Sequence, residues 1–224
     1  MLKRILSTLK SVFGNRPARY AGLPTALDRR MFGIIPVNLD KRKYEAALIE
    51  GLSRSVKQGD RVIVIGGGLG VTAAYAAIQA GADGKVICYE GSTPAIPKIE
   101  KTLERNNVRD RVDVVHAIVN SSEGVYGDEH AERIVPTEAL PDCDILEMDC
   151  EGGEAVILPK LKIQPRAIIV ETHGFTGATT EKVAEILNSM GYSAEDLGVA
   201  EPYLKKFCLK HDIRVLFALR KDAQ

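Results

Sequence analysis

Residues 62–77 read VIVIGGGLGVTAAYAA: an apolar run, a glycine-rich bend and a segment rich in small residues. The continuous apolar run Arg61–Ile65 is typical of a strand in a parallel sheet that is covered on both faces. Glycine lets the backbone of such a bend turn tightly and approach a ligand closely. A strand, a bend and a helix in this order indicate an α/β fold with a binding site where the strand ends.

The rest of the chain continues this alternation. Further strands are predicted at 86–89, 112–119, 144–148 and 167–170. Helices are predicted at 41–57, 71–80, 94–106, 154–161 and 180–190. The last candidates, 192–197 and 213–219, suggest a terminal hairpin. The predicted fold class is α/β: a Rossmann-like, doubly wound and mainly parallel seven-stranded sheet with an antiparallel C-terminal strand, plus a basic helical N-terminal extension.

Positive charge is concentrated at the N-terminus. Residues 1–43 hold ten Lys or Arg against two acidic residues, a net charge of +8. Because the whole chain has a formal net charge of +0, residues 44–224 carry −8. Residues 2–13 have the spacing of a basic amphipathic helix, and residues 14–40 predict an irregular arm rich in proline and glycine. We interpret 1–43 as an extension, whose residues 1–20 contact a protein or a membrane surface, and 44–224 as the main domain.

Composition argues against several classes of protein. No apolar stretch approaches the roughly 18 residues that a membrane span needs. The acidic charge of residues 44–224 disfavours nucleic acid as a substrate. The four cysteines lack the CxxC spacing of metal sites and show no disulfide pattern, so we expect a reducing, cytoplasmic setting.

The glycines of the bend, Gly66, Gly68 and Gly70, form a G-x-G-x-G pattern. The dinucleotide fingerprint G-x-G-x-x-G would place its third glycine at position 71, which is Val71. The tighter bend favours a ligand without a phosphate at this point, such as the amino-acid part of S-adenosylmethionine. Glu90 ends the second strand, where its carboxylate can accept hydrogen bonds from both hydroxyls of a ribose.

At these residues the chain resembles the class I methyltransferases, and within them the FkbM family of O-methyltransferases. The resemblance spans about residues 60–220 and includes YEGSTP at 89–94, EMDCEGGE at 147–154 and VETHG at 170–174. The second segment matches the family's Asp-x-Glu-Gly-x-Glu signature at Asp149, Glu151, Gly152 and Glu154. The chain departs from the pattern at Val64, where many class I enzymes have an acidic residue, and at Gly91, where the family often has proline.

The resemblance implies S-adenosylmethionine as the cofactor and a hydroxyl of a small molecule (a sugar, a lipid or a natural product) as the methyl acceptor. The residues predicted to bind the cofactor are Gly66, Gly68, Gly70, Glu90, Gly91, Ala117 and Asp149. The residues predicted to be catalytic are His173, Asp149, Glu151 and Glu171. No metal is part of this prediction.

Methyl transfer depends mainly on alignment, because the sulfonium already activates the carbon. His173 follows the fifth strand, and its usual pKa suits the removal of a hydroxyl proton. We assign Asp149 to the methionine end of the cofactor or to the acceptor, and Glu151 and Glu171 to orienting the acceptor or His173. Alternatively, Glu151 and Glu154 only stabilise the positive end of the helix predicted at 154–161.

Other interpretations stay open. Asp149, Glu151, Glu171 and His173 could together bind Mn²⁺ or Mg²⁺, which accept oxygen ligands and an imidazole. The chain could be an NAD(P)-dependent oxidoreductase, or a domain that binds a nucleoside ligand or a partner without turnover. The absence of an Asn/Asp-Pro-Pro-aromatic element after the fourth strand argues against methylation of nucleic-acid amino groups. The long loop at 120–142 is expected to shape the substrate pocket.

Overall fold

The computed structural model describes residues 17–28, 30–31, 35–36, 40–120 and 133–223. The basic helix predicted at 2–13 lies outside these residues. In the described part of the chain, no helix combines the length and the apolar character needed to cross a membrane.

The centre of the structure is a seven-stranded sheet, counted over the described residues. Short strands precede it: β1 (Pro17–Tyr20), β2 (Leu23–Asp28), β3 (Arg30–Met31) and β4 (Ile35–Pro36). The strands that follow are β5 (Arg61–Ile65), β6 (Lys85–Glu90), β7 (Val112–His116), β8 (Ile118–Val119), β9 (Ile134–Val135), β10 (Ile145–Met148), β11 (Ala167–His173), β12 (Tyr192–Gly198) and β13 (Ile213–Arg220). The order in the sheet is β12-β13-β11-β10-β5-β6-β7. β13 runs antiparallel to the other six strands of this sheet, so the predicted fold class is confirmed for the sheet.

Helices cover both faces of this sheet. Their bounds are α1 (Ala46–Ser55), α2 (Val71–Ala80), α3 (Ile96–Arg105), α4 (Glu154–Ile157), α5 (Thr180–Ser189) and α6 (Lys205–His211). Helices α1 to α3 share a buried apolar cluster with Val62 and Val64. Helices α4 and α5 share a second cluster with Ile63 and Ile65. Successive side chains of β5 therefore enter opposite cores, which is why the whole strand is apolar.

Several elements differ from their predicted extent. The strand predicted at 112–119 divides at Ala117, whose N–H donates to the carbonyl of Glu90. Strand β11 runs three residues beyond the predicted end because it pairs with β13 as far as His173. The helix predicted at 154–161 is a single α-helical turn followed by the 3-10 turn Leu158–Lys160, which contains Pro159. Helix α6 was not predicted, since only Cys208 of its residues is buried.

The N-terminal arm is more regular than predicted. Strands β1 and β2 form an antiparallel hairpin, so the prediction of irregular structure at 14–40 is wrong over Pro17–Tyr20 and Leu23–Asp28. The hairpin packs on α3, where the Ala26 N–H donates to Thr102 Oγ1 at 2.9 Å and Arg105 bonds Asp28 at 2.8 Å. These contacts join residues about 77 positions apart, which local pattern does not reveal. The domain boundary at residue 43 stays a prediction.

Candidate active site

The glycine bend lies against the loop that follows β10. Gly66 has a φ of 95°, a conformation that favours glycine. A Cβ at this position would lie 1.8 Å from the carbonyl oxygen of Asp149. The Gly66 N–H donates to the Tyr89 carbonyl, and the Asp149 N–H donates to the Ile65 carbonyl, both at 2.9 Å. The ends of β5, β6 and β10 are therefore held together by backbone contacts that leave no room for a side chain.

Glu90 meets this bend at the end of β6. Its Oε2 accepts a hydrogen bond from the Gly68 N–H at 2.8 Å, and its Oε1 accepts one from the Ser92 N–H at 2.6 Å. The side chain is buried, and two backbone donors fix the position of its carboxylate. The two features on which the cofactor prediction depends thus lie side by side, at the same edge of the sheet.

A cavity of about 390 Å³ opens at this edge. Of the residues predicted to bind the cofactor, those that line it are Gly66, Gly68, Glu90, Gly91, Ala117 and Asp149. Gly70 is not among the lining residues: it caps the N-terminus of α2, and a Cβ at this position would point at the backbone of Ile99. The cavity lies beyond the carboxyl ends of parallel strands, where open α/β sheets bind their ligands.

A second cavity, of about 240 Å³, adjoins the first. It is lined by all four residues predicted to be catalytic, Asp149, Glu151, Glu171 and His173. The two cavities have a common wall made of Tyr44, Glu45, Asp149 and Glu151. A ligand in the first cavity and a ligand in the second would therefore meet at Asp149.

His173 is buried in the wall of the second cavity and contacts three acidic side chains. It is 3% exposed, and its Nδ1 lies 2.9 Å from Oε1 of Glu154. The same oxygen accepts the Gly152 N–H at 3.1 Å, so Glu154 acts as an acceptor and the proton belongs on Nδ1 of the imidazole. Nε2 then points toward Glu151, at 3.2 Å, and toward Asp149, at 3.6 Å. This arrangement leaves Nε2 as the nitrogen that can take up a proton in the cavity.

The only role that the sequence analysis gave to Glu154 was to stabilise the positive end of a helix. Its contact with His173 was not predicted. Glu154 is completely buried, although it begins α4. The signal was available, because Glu154 is the last acidic residue of the Asp-x-Glu-Gly-x-Glu signature. Tyr44 and Glu45 were also missed, and no pattern in the sequence marks them: they precede α1 and reach the cavities only through the tertiary fold.

The electrostatics of the site follow from burying several acidic groups together. Burial and the charges of Glu151 and Glu154 raise the pKa of Asp149 to about 7, against the opposing effect of His173. Burial, reinforced by Asp149, raises the pKa of Glu171 well above its ordinary value. The pKa of Glu45 rises to about 8 by burial and by the charge of Asp149. Protons are therefore held in this cluster at pH values where isolated carboxyls have lost them.

The pKa of His173 is raised above its ordinary value of 6.5. Burial by itself lowers it, but the hydrogen bond with Glu154 and the charges of Asp149, Glu154 and Glu151 outweigh that effect. A raised pKa makes the imidazole a stronger base, which favours removal of a proton from an acceptor. The geometry and the electrostatics of His173 are thus compatible with the general base predicted from the sequence.

Three of the four residues considered as metal ligands lie close together. Within the described residues, one donor atom each of Asp149, Glu151 and His173 lies within 4.8 Å of the others. Glu171, the fourth candidate ligand, does not belong to this group.

The loop predicted at 120–142 to shape the substrate pocket lies largely outside the described residues, which exclude 121–132.

Comparison with known proteins identifies the fold. No protein family matches the sequence, and no curated protein matches it either. Solved structures do match. The ribosomal protein L11 methylase from Lactobacillus delbrueckii subsp. bulgaricus is 12% identical, with a TM-score of 0.55 over 82% of this chain and 81% of that chain. The precorrin-6y C5,15-methyltransferase from Geobacter metallireducens GS-15 is 18% identical, with a TM-score of 0.53 over 80% and 90% of the two chains.

This chain has a Rossmann-like methyltransferase fold. A third structure of this kind, Aeropyrum pernix fibrillarin in complex with S-adenosyl-L-methionine, is 14% identical, with a TM-score of 0.50 over 74% of this chain and 68% of that chain. At these identities the likeness is one of architecture. It extends to methyltransferases of different kinds and does not single out the FkbM family.

Proposed function

We propose that this chain is an S-adenosylmethionine-dependent methyltransferase, similar to the FkbM family, that methylates a hydroxyl of a small molecule such as a sugar, a lipid or a natural product. The observation that carries the proposal is the hydrogen bond between the Gly68 N–H and Glu90, both of which line the first cavity. It joins a glycine-rich bend to a fixed carboxylate, on a fold shared with methyltransferases. The complex of fibrillarin with S-adenosyl-L-methionine supports the choice of cofactor.

The residues of the first cavity fit this cofactor. Each Glu90 oxygen accepts one backbone N–H and keeps a further lone pair that a ribose hydroxyl can use. Val64 stands where many related enzymes have a carboxylate for the cofactor's ammonium group. Glu45 and Asp149 line the same cavity and supply carboxyl groups in its place. The departure at Val64 is therefore compensated by residues from other segments.

The residues of the second cavity fit a hydroxyl acceptor. The bound cofactor would supply a methyl group that its sulfonium has already activated. His173 would receive the hydroxyl proton at Nε2 as the acceptor oxygen takes up that methyl group. Glu154 acts through His173 as a positioning residue, because it holds the Nδ1 proton and directs Nε2 into the cavity. Asp149, in the common wall, orients the groups that meet there.

The sheet argues against the oxidoreductase alternative. Dinucleotide-binding domains have a parallel sheet with strand order 3-2-1-4-5-6. In this chain the antiparallel strand β13 lies between β11 and β12.

The buried pair of His173 and Glu154 argues against the second alternative, a domain that only binds a ligand. A buried imidazole paired with a carboxyl beside two cavities favours an enzyme.

The test is calorimetric titration of the full chain with S-adenosylhomocysteine and, separately, with NAD. We expect S-adenosylhomocysteine to bind and NAD not to bind. Transfer of a labelled methyl group to a panel of hydroxylated compounds then tests turnover. Binding of NAD, or the absence of binding by S-adenosylhomocysteine, would contradict the proposal.

Location and partners belong to the proposal as well. The four cysteines are free thiols, which supports a cytoplasmic setting. The acidic lining of the second cavity supports a small-molecule acceptor rather than a nucleic acid. Contact with a protein or a membrane surface through residues 1–20 is tested by deleting them and measuring vesicle binding and cofactor affinity. We expect vesicle or partner binding to fall and cofactor affinity to stay unchanged.

A further inference from the structure

The second cavity has a one-sided charge. The ionisable groups among its described lining residues are five carboxyls, one imidazole, one phenol and one thiol: Glu45, Asp149, Glu151, Glu171, Glu201, His173, Tyr44 and Cys208. No Lys or Arg occurs among those lining residues. A cavity with this lining attracts a cation and repels an anion.

Glu171 is a buried carboxyl that lines the second cavity. It is 8% exposed, and no hydrogen bond or ion pair joins it to any described residue. Glu90 and Glu154 differ from Glu171, since Glu90 accepts two backbone N–H groups and Glu154 accepts His173 and Gly152. Glu147 is also buried, but it lines neither of the two cavities. Burying a carboxyl without a partner is costly, and a donor bound in the cavity would remove that cost.

Some acidic residues line both cavities, and others line only the second. Glu45 and Asp149 line both of them and are available to the ammonium group of the cofactor. Glu171 and Glu201 line only the second cavity. Their carboxyl groups therefore face the acceptor and not the cofactor, and a cation bound beside Glu171 would favour its charged form.

The outer wall of the second cavity is apolar. Phe175, Leu204 and Phe207 line it although their exposed fractions are 53%, 45% and 53%. The Phe175 ring stands edge-on to His173, with 5.9 Å between the ring centroids. Aromatic faces beside carboxyls suit an organic cation better than a hydrated metal ion, because they bind both its charge and its carbon skeleton.

Resting on the function proposed above, we propose that the methyl acceptor carries a protonated amine that pairs with Glu171. The substrate class is then an amino alcohol or an amino sugar. Glu171 holds the ammonium group in the second cavity, and the acceptor hydroxyl reaches His173 from there. In this arrangement Glu171 selects the substrate and His173 takes the proton.

The test compares two probes that differ in one group: 2-amino-1-phenylethanol and 1-phenyl-1,2-ethanediol. Each is titrated by calorimetry into the full chain saturated with S-adenosylhomocysteine. We expect the amine to bind at least about tenfold more tightly than the diol. Glu171→Gln should abolish this preference by weakening the amine alone, whereas Glu181→Gln, an exposed carboxyl on α5, should leave both affinities unchanged.

Each other outcome counts against the assignment. Equal affinities for the two probes, or no binding of the amine at millimolar concentration, would overturn the assignment of an amine-bearing acceptor. The proposed function would still stand if the chain bound the cofactor and methylated neutral hydroxyls. Loss of S-adenosylhomocysteine binding would overturn both. Binding of MnCl₂ that excludes the amine would identify the cavity as a metal site instead. If Glu171→Gln fails to fold, the two probes on the unaltered protein still decide the question.

Discussion

The two sides of the candidate active site are built in different ways. On the side of Gly66 and Glu90, the carboxylate is satisfied by backbone N–H groups and the chain is held by short backbone contacts. On the side of Asp149, Glu171 and His173, several acidic groups are buried together, and Glu171 has no partner among the described residues. The first side is complete without a ligand, and the second is not.

This difference indicates different roles. A rigid, satisfied surface recognises a ligand of fixed shape with little reorganisation, as the binding of a common cofactor requires. A group of buried acids with raised pKa values can exchange protons and respond to the charge of what binds. We therefore expect changes on the first side to reduce cofactor affinity and changes on the second to affect turnover and its dependence on pH.

The largest effect is expected from Gly66→Ala. The new methyl group would overlap the Asp149 carbonyl, and the positive φ adds strain, so we expect a loss of about 3 kcal/mol or more in unfolding free energy. Binding of S-adenosylhomocysteine should be lost as well. Gly59→Ala is the matched control: its φ is also positive, but a Cβ there meets nothing within 4 Å, so about 1 kcal/mol is expected. Chemical denaturation measures both values, and unchanged cofactor affinity in Gly66→Ala would contradict the role of the bend.

His173→Ala should separate the two sides most clearly. We expect turnover to fall by about 100- to 10,000-fold, the usual contribution of a general base. The affinity for S-adenosylhomocysteine should change little, because His173 does not line the first cavity. His116→Ala, at an exposed position at the end of β7, serves as the control. Undiminished turnover in a single-turnover assay would remove His173 from the mechanism.

Glu90→Ala should have the opposite signature. Removing a carboxylate that accepts ribose hydroxyls is expected to weaken binding of S-adenosylhomocysteine by about 10- to 100-fold. Turnover at saturating cofactor should be affected much less than in His173→Ala. Glu104→Ala, an exposed carboxyl on α3 that pairs with Lys101, is the control. A variant with full affinity and low turnover would place Glu90 on the wrong side of the comparison.

The smallest effect is expected from Glu154→Gln, and it is measured in the pH dependence of turnover. His173 accepts a proton only when it is neutral, so turnover should rise as pH rises through its pKa, which lies above 6.5. Glu154→Gln removes a charge that raises this pKa. The rising limb should therefore move to lower pH, by about one pH unit or less. A limb that stays in place, or moves upward, would show that Glu154 does not act through His173. Glu181→Gln provides the profile against which the change is measured.

The sequence by itself determined the order of strands and helices and the elements of the cofactor side. Strand β5 and helix α2 were predicted at their observed bounds, because an apolar run before glycines and a segment of small residues are local patterns. Gly66 and Glu90 could be paired in advance, since parallel neighbouring strands bring their carboxyl ends to one edge. The antiparallel terminal hairpin also followed from local alternation.

Only the tertiary structure decided what surrounds His173. Glu154 begins a helix that follows β10, His173 ends β11, and Glu45 precedes α1. The groups that shift the pKa values of His173 and Glu45 therefore come from distant parts of the chain. The hairpin of β1 and β2 is a similar case, since its partner is α3. Burial and the sharing of protons depend on how these segments pack, and no periodicity along the chain records that.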